Sequence, residues 1–271
     1  MSTAILSPRA AALARIKALV LDTLPSSESK RAYGQALDDF FRWCEISGSE
    51  LTKATVNAYR ASLEKRQLSA STINQRLSAV RRLVAEAADN QLLSSAVAAA
   101  ILRVRGAKRS GVRLGHWLSK QQAEKLLRVP DGSTAKGKRD RALLAVLIGC
   151  GLRRREAAAL AIEDVQSKEA RWVIADLIGK GGRIRTVPMP IWTKVALDEW
   201  IAIAGISAGT VFRSLDKSGR VNDRTISTRT IFDVVKRSGE EIGVSNLAPH
   251  DLRRTFAKLA TKEIPLWSRS S

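Results

Sequence analysis

Cysteine and histidine are scarce in this chain, with two of each in 271 residues. Cys44 and Cys150 each stand alone in apolar surroundings. That excludes a disulfide framework and a cysteine-built zinc site, and it fits a reducing compartment. Two histidines are too few for a histidine-built metal cluster. Only two tyrosines occur, Tyr33 and Tyr59. No apolar run reaches the roughly 18 residues that a membrane span requires. The opening MSTAILSPRAAALARIKALV lacks the charged, apolar and small-residue zones of a signal peptide. Acidic residues are outnumbered, 26 against 46 basic, for a formal charge of +20. Such an excess points to a polyanionic partner, with nucleic acid first. Hydrophobic residues make up 45% of the chain, which excludes global disorder. The length fits one large or two modest domains.

The basic excess is densest between Gly106 and Asp140, where nine basic side chains face three acidic ones. This stretch opens with GAKRSGVRLG, which has no acid and no helical period and reads as a linker over 106–116. Lys108, Arg109 and Arg113 in it are placed to cross a duplex backbone, or they form a solvated hinge. Before it, residues 26–105 read as helices only. SSESKRAYGQALDDFFRWCEISG sets Tyr33, Leu37, Phe40, Phe41 and Cys44 at helical spacing, with Ser26 or Ser27 as cap and Gly48 past its end. LTKATVNAYRASLEKR sets Val56, Tyr59 and Leu63 on one face behind a Thr52 cap. SASTINQRLSAVRRLVAEAADN sets Ile73, Leu77, Val80 and Val84 on one stripe. Its other face carries Asn74, Gln75, Ser78, Arg81 and Arg82, types that bond phosphates and base edges or simply sit in water. Arg76, Arg81 and Arg82 are the expected DNA contacts of this helix. LLSSAVAAAILRVRG closes the set, and residues 1–25 form an N-terminal extension with a loosely attached helix.

After Trp117 the pattern changes. WLSKQQAEKLLRV, KGKRDRALLAVLIGCG and LRRREAAALAIEDV read as helices. RWVIADLIG and RIRTVPMP flank a Lys-Gly-Gly turn as a hairpin. IWTKVALDEWIAIAG, NDRTISTRTIFDVVKRSGEEIG and APHDLRRTFAKLATKE are helical again. The fold class expected is mainly α with a small antiparallel sheet in the second domain, an α+β arrangement of two domains. Three clusters stand out here. One is Gly149-Cys150-Gly151-Leu152-Arg153 with Glu156 a turn later. Another is Gly179-Lys180-Gly181-Gly182. The third is His250-Asp251-Leu252-Arg253. Taken singly, each has a plain reading: a cationic turn in which Arg154 is an alternative register for Arg153, a glycine turn, and a helix start after Pro249.

Taken in this order and spacing, the clusters resemble the tyrosine recombinase, or phage integrase, family. GCGLRRREAAALAIEDV is similar to its first arginine box, GKGGRIRTVPMP to its lysine hairpin, and PHDLRRTFAKLA to its second box. The resemblance covers roughly residues 26–262. It implies a helical, SAM-like core-binding domain at 26–105, a catalytic domain at 117–271, and a clamp of both around double-stranded DNA. It implies that Arg153 and Arg253 grip the scissile phosphate, since guanidiniums match its geometry and stay protonated. Lys180 protonates the leaving 5′-oxygen, and His250 bonds the phosphate or moves the nucleophile's proton. Glu156, three residues after Arg153, orients that guanidinium. No metal or other cofactor is implied, because the bond energy stays in a 3′-phosphotyrosyl link.

The family places its tyrosine several turns beyond the second box, whereas eighteen residues follow Arg253 here and none is a tyrosine. Tyr33 and Tyr59 lie in the amino-terminal helices, Pro265 should stop the last helix early, and Trp267 is in the wrong context for the family's late Trp. The expectation is a chain cut short near Lys262, with DNA binding kept and strand cleavage lost. The other function class is a non-catalytic DNA-binding protein or inhibitor acting at recombination sites beside intact relatives. Self-association on DNA, or pairing with such relatives, and a cytoplasmic, nucleoid-associated location complete these expectations.

Overall fold

The computed structural model describes residues 8–48, 50–108, 117–179 and 182–263. The chain divides into two units, Met1–Arg113 and Leu114–Ser271, each with its own core.

The first unit holds α1 (Pro8–Asp22), α2 (Ser27–Ser47), α3 (Lys53–Lys65), α4 (Ala70–Asp89) and α5 (Ser95–Leu102). Hydroxyls start four of them. Ser26, Thr52, Ser69 and Ser94 accept the backbone N–H of Ser29, Thr55, Thr72 and Val97, which satisfies donors that a helix start leaves open. α4 packs against the other four helices. Its Ile73, Leu77, Val80, Leu83 and Val84 form the centre of the core with Leu37, Phe40, Tyr59 and Leu63. Ile16 and Val20 of α1 are buried in that same core, so α1 is part of this unit's packing rather than an appendage. Alanines around those two side chains blur the stripe in the sequence. Asp39 joins three elements: it accepts from Tyr59 Oη at 2.8 Å, from both Nη atoms of Arg66 at 3.0 and 3.1 Å, and from Arg76. Burial pushes this carboxyl up, but the bonds from Arg66 and Tyr59 and the Arg76 charge outweigh it and hold Asp39 below the usual carboxylate range.

The backbone leaving α5 is tied down by side chains. Asn74 donates to Ala107 O at 3.0 Å and accepts from Ala107 N at 2.8 Å. Arg81 donates to Val104 O at 2.6 Å and Arg60 to Arg105 O at 3.2 Å. Residues 109–116, with the expected contacts Arg109 and Arg113, lie outside the described residues.

The second unit runs α6 (Lys120–Arg128), α7 (Ala135–Gly149), α8 (Arg154–Ala159), a short 3₁₀ turn, β1 (Val165–Lys168), β2 (Arg171–Ile178), β3 (Ile184–Pro188), α9 (Ile191–Ala204), β4 (Arg213–Leu215), β5 (Val221–Thr225), α10 (Thr228–Glu241) and α11 (Pro249–Glu263). The second half of α7, Ala142–Gly149, is apolar all round and continuously buried, as the centre of a core must be. The sheet order is β1-β2-β3, antiparallel, and β4 pairs with β5 separately. The expected hairpin is β2–β3; β1 and the β4–β5 pair are additional. Asn222 to Thr225, read from sequence as the start of a helix, belong to β5. The helix begins only where Ser227 caps Thr230 N, and an Asp216 turn closes the hairpin before it.

Two residues past the end of α7 stands Gly151, whose φ of +58° favours glycine and whose missing Cβ would lie 2.3 Å from the Phe256 ring of α11. This contact lets the start of α8 and the middle of α11 approach. Gly151→Ala should therefore lower unfolding free energy by about 3 kcal/mol, from left-handed strain plus overpacking. Urea unfolding followed by circular dichroism tests this, and a loss below about 1 kcal/mol would contradict the packing described.

Candidate active site

Arg153 occupies the N-cap of α8, with an extended φ of −72° and ψ of 152°, so its side chain leaves the helix start instead of lying along it. Its backbone N–H donates to Glu156 Oε2 at 2.7 Å, and its Nη1 donates to Oε1 at 2.7 Å. Glu156 is only 7% exposed. A carboxylate withdrawn that far needs donors on all its lone pairs. Arg185 of β3 supplies the remainder, Nη1 to Oε1 at 3.1 Å and Nη2 to Oε2 at 2.8 Å. Burial pushes the Glu156 carboxyl up, but the bonds from Arg185 and Arg153 reverse this and hold it at about 2.

The sequence reading missed Arg185. A signal was present, because Arg185 shares the inward face of β3 with buried Val187, where alternation calls for an apolar residue. It stands opposite Leu177 in the register. Gly179, just past β2, makes room for it. A Cβ there would lie 2.8 Å from Arg185 Nη1 and 3.5 Å from Arg153 Nη1. Lys180, the expected proton donor, follows Gly179 in the chain and lies outside the described residues.

Arg253 comes from α11. Pro249 opens this helix, and Asp251 closes its first turn by accepting Ala248 N at 3.1 Å. Fully buried Thr255 accepts Leu118 N and donates to Asp251 O, both at 2.9 Å, which fixes the helix to the start of the unit. Arg253 then reaches back to donate to Gly151 O. Burial holds its guanidinium below the usual arginine range, and the charges of Arg153 and Arg185 act the same way while Glu156 opposes them. Arg153 and Arg185 are joined through Glu156, and the charges of all three act on Arg253. Arg153, Arg154, His250 and Arg253 line one concave opening of about 370 Å³, with Leu152 and Phe232 as apolar wall. His250 is exposed. The structure thus gathers Arg153, Glu156, His250 and Arg253 from separate segments. Three guanidiniums around one carboxylate leave a local excess of positive charge, suited to an anion. Among the described residues no group of three His, Cys, Asp or Glu is placed to hold a metal, and no helix is long and apolar enough to cross a membrane.

The expected DNA contacts of α4 are placed less uniformly. Arg76 is engaged by Asp39 and Arg81 by Val104 O. Arg82 is exposed and bonds Thr23 Oγ1 at 3.0 Å. Arg81 and Arg82 line a second opening of about 400 Å³ with Tyr33, Ser78 and Glu86. Lys108 is exposed.

The Glu156 ion pairs make a pH prediction. A carboxyl moved from 4.5 to about 2 on folding contributes roughly 3 kcal/mol of stability at neutral pH. Because the folded value is depressed, this contribution is complete above pH 4.5 and is lost as pH falls toward 2. Urea unfolding of wild type and Glu156→Gln at pH 7, 5 and 3 should show a constant gap down to about pH 5 that narrows below it. A gap that ignores pH would contradict the ion pairing.

Comparison with known proteins gives the family. The family model for the phage integrase family matches residues 116–267, and that for the phage integrase N-terminal SAM-like domain matches residues 16–91. The chain is 30% identical over 243 residues to the tyrosine recombinase XerC of Xanthomonas campestris pv. campestris, covering 88% of this chain and 72% of the relative. It is 28% identical over 236 residues to XerC of Thermodesulfovibrio yellowstonii, covering 86% and 76%. The fold is similar to a lambda integrase dimer bound to a COC′ core site, at 18% identity and a TM-score of 0.69, covering 93% of this chain and 69% of the other. It is also similar to XerH site-specific recombinase in a post-cleavage complex with palindromic difH, at 21% identity and a TM-score of 0.65, covering 86% and 69%. With a family model spanning more than half of its length and relatives matched over most of theirs, the chain belongs to the phage integrase family of tyrosine recombinases.

Proposed function

We propose that this chain binds duplex DNA as a tyrosine recombinase does, grips one backbone phosphate between Arg153 and Arg253, and does not cleave the strand by itself. The observation that carries the reading is the opening in which Arg153, His250 and Arg253 converge from two distant segments with no acid on its wall. A phosphodiester gains negative charge on its non-bridging oxygens as a nucleophile attacks, and two fixed guanidiniums stabilise that charge without reorganising. His250 at the rim bonds the phosphate or passes a proton, and Lys180, next to Gly179 in the chain, protonates the departing 5′-oxygen. Lys108, Arg109, Arg113 and Arg82 add backbone contacts that hold the duplex without reading its sequence. The lambda integrase of known structure sits on its core site as a dimer, and self-association on DNA is carried over from it as part of the proposal.

The nucleophile sets the limit. The two tyrosines belong to the first unit, and Tyr59 is fully buried and bonded to Asp39. Tyr59 is therefore not free to attack a phosphate, and the attacking oxygen is proposed to come from outside the described residues.

Two measurements test this. Duplex binding should weaken steeply with salt, and the double variant Arg153→Ala/Arg253→Ala should keep most of the affinity while the log–log salt slope falls by roughly 1, the signature of one lost phosphate. A variant that no longer binds duplex at all would favour diffuse charge over a clamp. On a nicked suicide substrate the chain alone should form no covalent adduct, and an adduct resistant to denaturant would overturn the proposed loss of cleavage.

A further inference from the structure

We propose that Arg185 is a positioning residue of the phosphate clamp, which acts through Glu156 to hold the Arg153 guanidinium open toward an anion. This rests on reading Arg153 and Arg253 as that clamp. Glu156 is shared evenly between two arginines. Each of its oxygens takes one donor from Arg153 and one from Arg185: Oε1 from Arg153 Nη1 and Arg185 Nη1, Oε2 from Arg153 N and Arg185 Nη2. Arg185 spends both terminal nitrogens on the carboxylate as a fork, so it is not itself an anion ligand, and it is absent from the wall of the opening. Arg153 spends only Nη1 on it. That leaves Nε and Nη2 of Arg153 for another acceptor.

Without Arg185 the carboxylate would have one side-chain partner. Arg153, whose side chain is 44% exposed, would close on Glu156 as a two-point pair. Such a pair is neutral and presents few donors outward. With Arg185 present, one negative charge is divided between two positive ones, and the trio keeps a net positive charge beside Arg253. Gly179 extends the device to the hairpin, because a Cβ there would crowd the Arg185 guanidinium at 2.8 Å and touch that of Arg153 at 3.5 Å. The Arg153 side chain and the base of the hairpin that leads to Lys180 are thereby held in one register.

The test uses the full chain without DNA and inorganic phosphate as the probe, at constant ionic strength. Phosphate binding is read from the Nε–H NMR signal of Arg153, identified by its loss in Arg153→Ala. Arg185→Ala should weaken phosphate binding about tenfold, and Arg185→Lys, which restores the charge but not the fork, should recover to within about threefold of wild type. If the alanine variant does not fold, Arg185→Gln against Arg185→Lys gives the same comparison. Phosphate binding at wild-type strength in folded Arg185→Ala or Arg185→Gln, with only the melting temperature lowered, would reduce Arg185 to a structural ion pair and overturn the inference. The clamp reading fails in a different way. Arg253→Ala would then leave the phosphate-induced shift of the Arg153 signal unchanged, whatever Arg185 does.

Discussion

A carboxylate out of reach of water is stable only when positive groups surround it, and Glu156 draws its partners from two separate parts of the chain. Arg153 reaches it from the start of α8 and Arg185 from β3. This shared anion ties a helix terminus to a sheet edge and sets where the Arg153 guanidinium points. Arg253 joins from α11 by another route, through the carbonyl of Gly151. The chemistry of the opening therefore depends on a group that does not line it. Removing one partner from such a cluster leaves a buried charge without compensation, which is far more damaging than losing a surface pair.

Much of this arrangement was legible in the sequence. Hydroxyl caps at Ser26 and Thr52 mark helix starts because the chemistry of a cap is local. The stripe through Ile73, Leu77, Val80 and Val84 marks the core face of α4 because helical period is local too. Arg153, Glu156, His250 and Arg253 were legible as a resemblance to ordered boxes, although no spacing rule could say that they meet. Arg185 was lost because the hairpin was read for its glycines and lysine, so a charge on an inward strand position passed as part of a basic run. β4 and β5 were lost because three- and five-residue strands carry almost no periodicity. Asp39 was lost because its partners lie 20 to 37 positions away, a separation that pattern reading does not sense.

The same long-range pairing qualifies the polar face of α4. Its arginines look alike in the sequence, yet Arg76 is held by Asp39 and Arg81 by a backbone carbonyl, while Arg82 stays exposed. A basic residue on a helix surface serves its own fold or a polyanion, and composition alone does not distinguish the two. Only the acceptors that the fold brings near can do so.

The amide of Asn74 has a consequence of its own. It meets the backbone of Ala107 through a donor and an acceptor at once, as a neighbouring peptide group in a ladder would. Neither bond involves a formal charge, so counterions that screen a lysine or an arginine have little hold on it. The path of the chain beyond α5 is therefore held in part by a fastening that ionic strength does not loosen. Salt strong enough to screen the chain's arginines and lysines would leave that fastening in place.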